Sequence, residues 1–381
     1  MRSKVKIDKP LHDTVLLVIS HTIHYLDDAG NPCGWIPTVR ELDFLAGYFK
    51  KIIHLAVLAN HKKAPKGVCV YTATNIDFEP IPFYGGKNLK EKISVVTTMP
   101  QIIAKTRKLL RDVDVFQFRA PTSMGVYLIP YLTHFSKKKG WYKYAGNWKQ
   151  ENMPISYRIQ KFLLEKTQSR PVTINGTWKN QKDNIFSFEN PSLNLEDIEK
   201  GIQVSKENIH EGLKACFVGR LVNYKGVDRI INAIDVLVNK GVTEIIFVGD
   251  GPEKENYLKK VEKHSINIHF YGYLDREEVF DIYKKSHLIF LPSDSEGFPK
   301  VIAEAACFGC VPIVSDVSAI PQYINDSNGY LWDQKKDTFT NYCKKIDLNP
   351  QAILYRSKNI KNIAKQFTFE AYLEKLRDKI L

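Results

Sequence analysis

Short apolar runs and amphipathic stretches alternate along most of this chain. Val15–Ile19 is an unbroken apolar run, the pattern of a strand covered on both faces. Thr38–Lys51 has helical spacing, with Val39, Leu42, Ala46 and Phe49 on one side. Ile52–Leu58 then reads as a strand, Gln101–Arg111 as a helix and Val113–Phe118 as another strand. The second half repeats the scheme with a strand at Ala215–Val218, a helix at Val227–Lys240 and a strand at Glu244–Val248. The turn Gly249-Asp250-Gly251-Pro252 follows, and later a buried strand, Leu288–Leu291. Such alternation predicts parallel sheets flanked by helices, an α/β class with doubly wound domains. A chain of 381 residues exceeds a single core of ordinary size. Glu189-Asn190-Pro191-Ser192 interrupts the pattern, which predicts one domain over 1–190 and a second over 191–366. No internal repeat or low-complexity tract is visible.

Composition narrows the setting. With 44% hydrophobic and 25% charged residues, the sequence is that of an ordinary globular protein. No run approaches the ~18 apolar residues that span a bilayer, and Asp13–Ser20 is too short to serve as a signal peptide. A cytoplasmic, reduced environment is therefore expected, and the sequons at Asn175 and Asn325 read as chance matches. Of six cysteines, Cys307 and Cys310 form a Cys-x-x-Cys pair, but no second cysteine pair or histidine cluster accompanies it. The net charge of +13 is uneven. Residues 1–190 hold 29 Lys and Arg against 15 Asp and Glu, a balance of +14, and residues 191–381 come to −1. This asymmetry gives the two halves different partners. No nucleic-acid-binding module is recognisable, which argues against nucleic acid as the basic half's partner.

The residues that carry chemistry lie in two segments. Ser295–Val314 reads Ser-Glu-Gly-Phe-Pro-Lys-Val-Ile-Ala-Glu-Ala-Ala-Cys-Phe-Gly-Cys-Val-Pro-Ile-Val, with seven residues between Glu296 and Glu304. Upstream, Phe217–Gly226 reads Phe-Val-Gly-Arg-Leu-Val-Asn-Tyr-Lys-Gly and carries Arg220 and Lys225 in a glycine-flanked turn. A loop after Leu288–Leu291 is predicted, then a helix from near Pro299 through Cys307 whose free N–H groups favour a phosphate. The two segments together resemble the donor site of family 4 glycosyltransferases. That resemblance implies the GT-B fold, two Rossmann-like doubly wound domains facing each other across a cleft. It also implies transfer of a sugar from a nucleotide diphosphate to an acceptor hydroxyl with retention of anomeric configuration. It is dense from Phe217 to about Trp332, including Val248–Pro252 and Phe270–Leu274, and holds in outline in the first half.

Breaking the bond from the anomeric carbon to the diphosphate builds negative charge on the terminal phosphate. Arg220, as a bidentate fork, and Lys225, as a point charge, suit that charge without a metal, so no cofactor is expected. Gly219 and Gly226 permit a tight turn and close approach of the ligand. By resemblance, Glu304 accepts hydrogen bonds from the ribose hydroxyls, and Glu296 meets the donor sugar near its reacting carbon. The amides of Gly297, Phe298, Pro299 and Lys300, with Val301 behind them, surround the sugar. Tyr273 and Leu274 frame the nucleobase, whether the donor is UDP- or GDP-linked. The leaving phosphate itself takes the acceptor proton, and Phe367–Leu381 is the helix that crosses back to the first domain. A nucleotide-sugar epimerase of the same fold, separable by incubation with donor alone, and a non-catalytic binding protein are the alternatives.

The first half offers weaker candidates. Val115–Pro121 aligns by resemblance with a strand that ends in a donor-facing histidine, where this chain has Arg119; a surface arginine at a strand end is the equal alternative. His21 and His24 fall in an expected long loop, Ser20–Pro37, with Gly34 as a phosphate or acceptor contact. Asp112-Val113-Asp114 mimics a metal-binding pair but reads as turn chemistry, and no metal site is expected. The run Lys137-Lys138-Lys139-Gly140-Trp141-Tyr142-Lys143-Tyr144 reads as a capped helix end or as a membrane-facing patch. The helix around Arg158, Lys161 and Lys166 is a second membrane candidate. The implied role lies in surface polysaccharide or lipid-linked glycan assembly, with a glycan acceptor and peripheral attachment to an anionic membrane surface.

Overall fold

The computed structural model describes Val5 and residues 9–59, 61–86 and 89–381, with the backbone alone at 89–92. The chain divides into two compact units, one of residues 1–188 with 373–381 and one of residues 189–372.

In the first unit, nine strands form one sheet among the described residues: β1 Val15–Leu26, β2 Pro32–Trp35, β3 Lys51–Leu58, β4 Val68–Val70, β5 Ile76–Pro82, β6 Val115–Ala120, β7 Lys139–Tyr144, β8 Val172–Ile174 and β9 Ile185–Ser187. The parallel body runs β5-β3-β1-β6-β7-β8-β9, so the strand order reverses between β1 and β6. Leu16–Ile19 and Phe116–Phe118 have no exposed surface, as a strand with helices on both faces requires.

Two stretches depart from the sequence reading. The expected loop at Ser20–Pro37 is instead a hairpin. β1 continues to Leu26, and the Asp27 carboxylate accepts the Ala29 and Asn31 amides at 3.0 and 2.7 Å. The chain then returns as β2, antiparallel to the far half of β1. Asp-Asp-Ala-Gly-Asn supplied the turn chemistry that defines it. The basic–aromatic run 137–144 is not a helix end, and of its residues Lys137 and Lys139 are exposed while 140–144 are buried. Lys139–Tyr144 is the interior strand β7, with Trp141 and Tyr142 fully buried and Tyr144 at 1% exposure. Gly140 leaves room for the Phe116 ring, which a Cβ there would meet at 2.4 Å.

Helix ends also shift. The expected helix at 38–51 spans Ile36–Ala46, and the one at 227–240 is two short helices, Val227–Asn232 and Ile234–Asn239, broken at Ala233. The C-terminal segment changes unit at Leu373 rather than Phe367. Phe367 stacks on Phe298 at 4.4 Å and the Phe369 amide donates to the Leu193 carbonyl at 2.8 Å, which keep that stretch with the second unit. Further on, Arg377 lies over the Tyr48 ring in the first unit.

The second unit is a six-stranded parallel sheet among the described residues: β10 Leu213–Val218, β11 Val242–Val248, β12 Asn267–Gly272, β13 Leu288–Leu291, β14 Val311–Ser315 and β15 Tyr330–Trp332. Its order is β12-β11-β10-β13-β14-β15, and it reverses between β10 and β13. Ligands of open α/β sheets bind outside the carboxyl ends of the strands at such a reversal. The loops leaving β10 and β13 are the two segments singled out from the sequence.

Candidate active site

β10 ends at Val218, and its continuation turns through Gly219 and Arg220 into a short 3-10 turn, Asn223–Lys225. Gly226 closes the turn at φ +79°, and a Cβ there would lie 2.1 Å from the Pro292 carbonyl oxygen. A side chain is therefore excluded by both conformation and space. The turn rests on its neighbour after β11. Gly249, at φ +128°, has room for no Cβ because the Gly219 carbonyl lies where it would be, and Gly251 lies as tightly under Leu221. The Leu221 amide also donates to the Asp250 carbonyl at 2.9 Å. The Gly-Asp-Gly-Pro sequence is thus the floor of the turn that carries Arg220 and Lys225.

On the other side of the reversal, Pro292–Pro299 connects β13 to the helix Lys300–Cys307, with Pro299 as its N-cap. Glu296 sits in that loop, and its Oε1 accepts from Lys225 Nζ at 2.5 Å across 71 positions of sequence. Both side chains are largely covered, at 9% and 19% exposure, which strengthens a charge-assisted bond over one in open water. Arg220 is exposed at the start of the same turn. Glu304 lies on the second turn of the helix, half-buried. Burial raises the pKa of nearby Tyr283, and the Glu304 charge adds to the shift.

The remaining candidates divide by what their side chains do. Phe298 is buried in an aromatic cluster with Phe367 and Tyr323, so its amide is the part offered to a ligand. Pro299 has no N–H, which leaves Gly297, Phe298 and Lys300 as the amide donors of this stretch. Val301 and Leu274 pack on the core beneath the helices. Gly272 ends β12 at φ +72° and leads into Tyr273, which is 37% exposed. Cys307 and Cys310 are structural: their thiols meet the carbonyls of Asp197 and of Tyr283 and Ser286, and Cys307 is pushed up to about 12 by burial and then by Asp197.

In the first unit, Arg119 is buried rather than on the surface. Its Nη2 bonds Glu41 Oε1 at 2.8 Å and its Nε bonds Gln117 at 2.8 Å. Lys143 Nζ meets the same Glu41 oxygen at 2.6 Å. The carboxylate comes from the helix Ile36–Ala46 and the two cations from neighbouring strands, in register, at the carboxyl ends of β6 and β7. Sequence reading missed Glu41 and placed Lys143 in a helix-end or surface run, because their meeting depends on the strand order. Gly34 faces His24 across the hairpin, and a Cβ on it would reach His24 Nε2 at 2.4 Å. Asp114 is bonded to the Val15 amide and to Lys9. Among the described residues, no group of three or more His, Cys, Asp or Glu is arranged to hold a metal. No described helix is long and apolar enough to cross a membrane.

A family model, glycosyl transferases group 1, matches residues 200–366. This part of the chain belongs to that family. The glycosyltransferase segment takes in every candidate of the second unit. Among relatives, the chain is 31% identical over 140 residues to a 41.2 kDa protein in the cps region of Klebsiella pneumoniae, covering 35% of this chain and 37% of that one. It is 31% identical over 124 residues to the amylovoran biosynthesis glycosyltransferase AmsD of Erwinia amylovora, covering 32% and 35%. The matched part thus spans about a third of these relatives' length. Among solved structures, Anabaena Alr3699/HepE in complex with UDP aligns over 96% of this chain and 98% of its own at a TM-score of 0.65 and 14% identity. The fold likeness therefore takes in both units, and the fold is GT-B.

Proposed function

We propose that this protein is a retaining glycosyltransferase that moves a sugar from a nucleotide-diphosphate donor to an acceptor hydroxyl. The observation that carries this reading is the Lys225–Glu296 contact at the strand-order reversal of the second sheet. A cation for the departing phosphate and a carboxylate for the sugar meet there, with Arg220 on the same turn and a helix N-terminus opposite. Charge building on the diphosphate is stabilised by Arg220 and Lys225, two cations on one turn, of which Lys225 is held by Glu296. Glu304, farther along the helix, takes the ribose hydroxyls. The donor is UDP- or GDP-linked; HepE was crystallised with UDP, which supports the first.

Relatives named for amylovoran biosynthesis and for a cps region support a role in surface polysaccharide assembly. A lipid-linked acceptor at the cytoplasmic face of the membrane fits the basic first half. The test begins with a panel of nucleotide sugars in a thermal-shift assay, since a ligand at 100 times its Kd adds about 2.7 kcal/mol. With the stabilising donor, Arg220→Ala and Lys225→Ala should each lose about 10²-fold or more in turnover. Turnover near wild type in either variant would remove the donor-site assignment. Epimerisation of the donor without any acceptor would favour the epimerase.

The same cation pair makes a divalent ion unnecessary in this reading. Transfer should persist in EDTA, and activity that vanishes with the chelator and returns with a divalent ion would refute metal independence.

A further inference from the structure

Arg229 stands in Val-Asp-Arg-Ile-Ile, where it looks like one more polar position on a helix. Its surroundings say otherwise. Nη1 donates to the Pro292 carbonyl at 2.6 Å, and Nη2 bonds Asp294 Oδ1 at 2.5 Å. The guanidinium lies 5.2 Å from the centre of the Trp332 ring at the end of β15. One residue thereby grips a backbone carbonyl and a carboxylate within the loop that carries Glu296. That loop is also tied to the opposite turn, since the Asp294 amide donates to the Tyr224 carbonyl at 2.8 Å, next to Lys225.

We propose that Arg229 is a positioning residue of the donor site, holding Pro292 and Asp294 so that Glu296 stays in register with the Lys225 turn. The proposal rests on the glycosyltransferase reading of this site. The Lys225–Glu296 bond also couples the two segments, but a donor diphosphate competes for the Lys225 ammonium. While the site is in use that coupling weakens, and the contacts of Arg229 lie outside the competition. An exposed ion pair by itself contributes little, and Asp294 is 47% exposed. The carbonyl bond and the Trp332 face distinguish this arginine: a planar fork engages carbonyl, carboxylate and ring together, and a lysine meets one of them at a time. Gly226 completes the arrangement, because its missing side chain lets the Pro292 carbonyl lie against the turn.

The experiment compares Arg229→Ala and Arg229→Lys with wild type in the full chain by hydrogen exchange, steady-state kinetics and thermal melting. In Arg229→Ala, amides 293–298, and Asp294 above all, should exchange about tenfold faster. Turnover should fall about tenfold or more, since small misplacements of reacting groups are costly. Donor KM should stay within about threefold, because Glu304 and the ends of β11 and β12 are untouched. Arg229→Lys should recover part of both losses. A role in bulk stability alone would lower the melting temperature without this separation of kcat from KM. Unchanged exchange at Asp294 would overturn the proposal whether or not the protein transfers sugar. Faster exchange with wild-type turnover would overturn the positioning role. If Arg229→Ala does not fold, Asp294→Asn, which keeps the side-chain volume and removes the ion pair, is judged by the same measurements.

Discussion

His24, His54, Tyr71 and Ser20 share a buried chain of hydrogen bonds whose direction follows from one carbonyl. The Thr22 oxygen can accept and not donate, so His24 Nδ1, 3.0 Å away, carries the proton and Nε2 accepts from the Tyr71 hydroxyl at 2.6 Å. Tyr71 has then used its proton, and its oxygen accepts His54 Nδ1–H at 2.6 Å. His54 Nε2 is left to accept from Ser20 at 2.8 Å. These tautomers follow from the bonding pattern, and they hold for neutral rings. A second proton on either imidazole would set a donor against a donor. Burial lowers the pKa of His24 to about 4 and drives that of His54 well below its usual value, with the nearby His24 and Arg119 charges adding to the latter. In the second unit, burial, Lys206 and Lys214 hold His287 at about 4. A base whose folded pKa is depressed binds more protons when unfolded. Its contribution is therefore complete above the unfolded value of about 6.5 and is lost as pH falls toward 4. Each such histidine should remove about 1.4 kcal/mol of stability per pH unit in that window. The urea midpoint should drop clearly between pH 7 and pH 5, before the carboxylates titrate, and an unchanged midpoint would contradict this account.

Among the elements, those of the second unit were the most legible in sequence, and the reason is physical. β10, β11 and β13 are short apolar runs covered on both faces, and the glycines after β10 and β11 mark turns that admit no side chain. The two candidate segments follow directly from those strand ends, so the sequence motifs were enough to single out Lys225 and Glu296, which the structure brings into contact. Local pattern was not enough for β7. Lys139–Tyr144 carries two lysines, which suggested surface, but the charge of Lys143 is met by Glu41, 102 positions away. A buried ion pair between elements distant in sequence leaves no local trace. The hairpin of β1 and β2 was hidden differently: polar residues of β1, Ser20 and His24, point inward and bond His54 and Tyr71. Arg229 belongs with these cases, since its partners Pro292 and Asp294 lie more than sixty positions on. Alternation and turn chemistry reveal the frame of the site. The contacts that hold its two loops together depend on strand order.

For the molecule as a whole, the uneven charge demands a partner. The proposed donor residues lie in the near-neutral half, so a balance of +14 over residues 1–190 exceeds what the proposed donor site needs. One of the two surfaces suggested for that charge has lost its aromatic contacts and Lys143, which are buried, and keeps Lys137 and Lys139 exposed. The other has gained an unexpected feature. The helix Ile155–Lys166 buries Gln160 and Leu164, and its opposite side exposes Ile155 at 71%, Ile159 at 41% and Phe162 at 57%. Positions 155, 159, 162 and 166 share one face, so Lys166 continues this apolar stripe, with Arg158 beside it. An apolar stripe edged with basic residues suits the boundary of an anionic lipid layer, where side chains enter the acyl region and cations meet headgroups. Each lysine or arginine near such a surface adds about 1 kcal/mol, fading beyond a Debye length of ~8 Å at physiological salt. The protein should therefore bind vesicles containing phosphatidylserine more strongly than neutral ones, and added salt should weaken that binding. Phe162→Ser should weaken binding to the anionic vesicles without changing turnover on a soluble acceptor analogue, because the residue lies outside the donor site. Equal partitioning onto both kinds of vesicle would refute the membrane reading and turn the charge toward a soluble anionic acceptor. The donor site proposed for the second unit would stand unaltered, since the Lys225–Glu296 contact lies wholly within that unit.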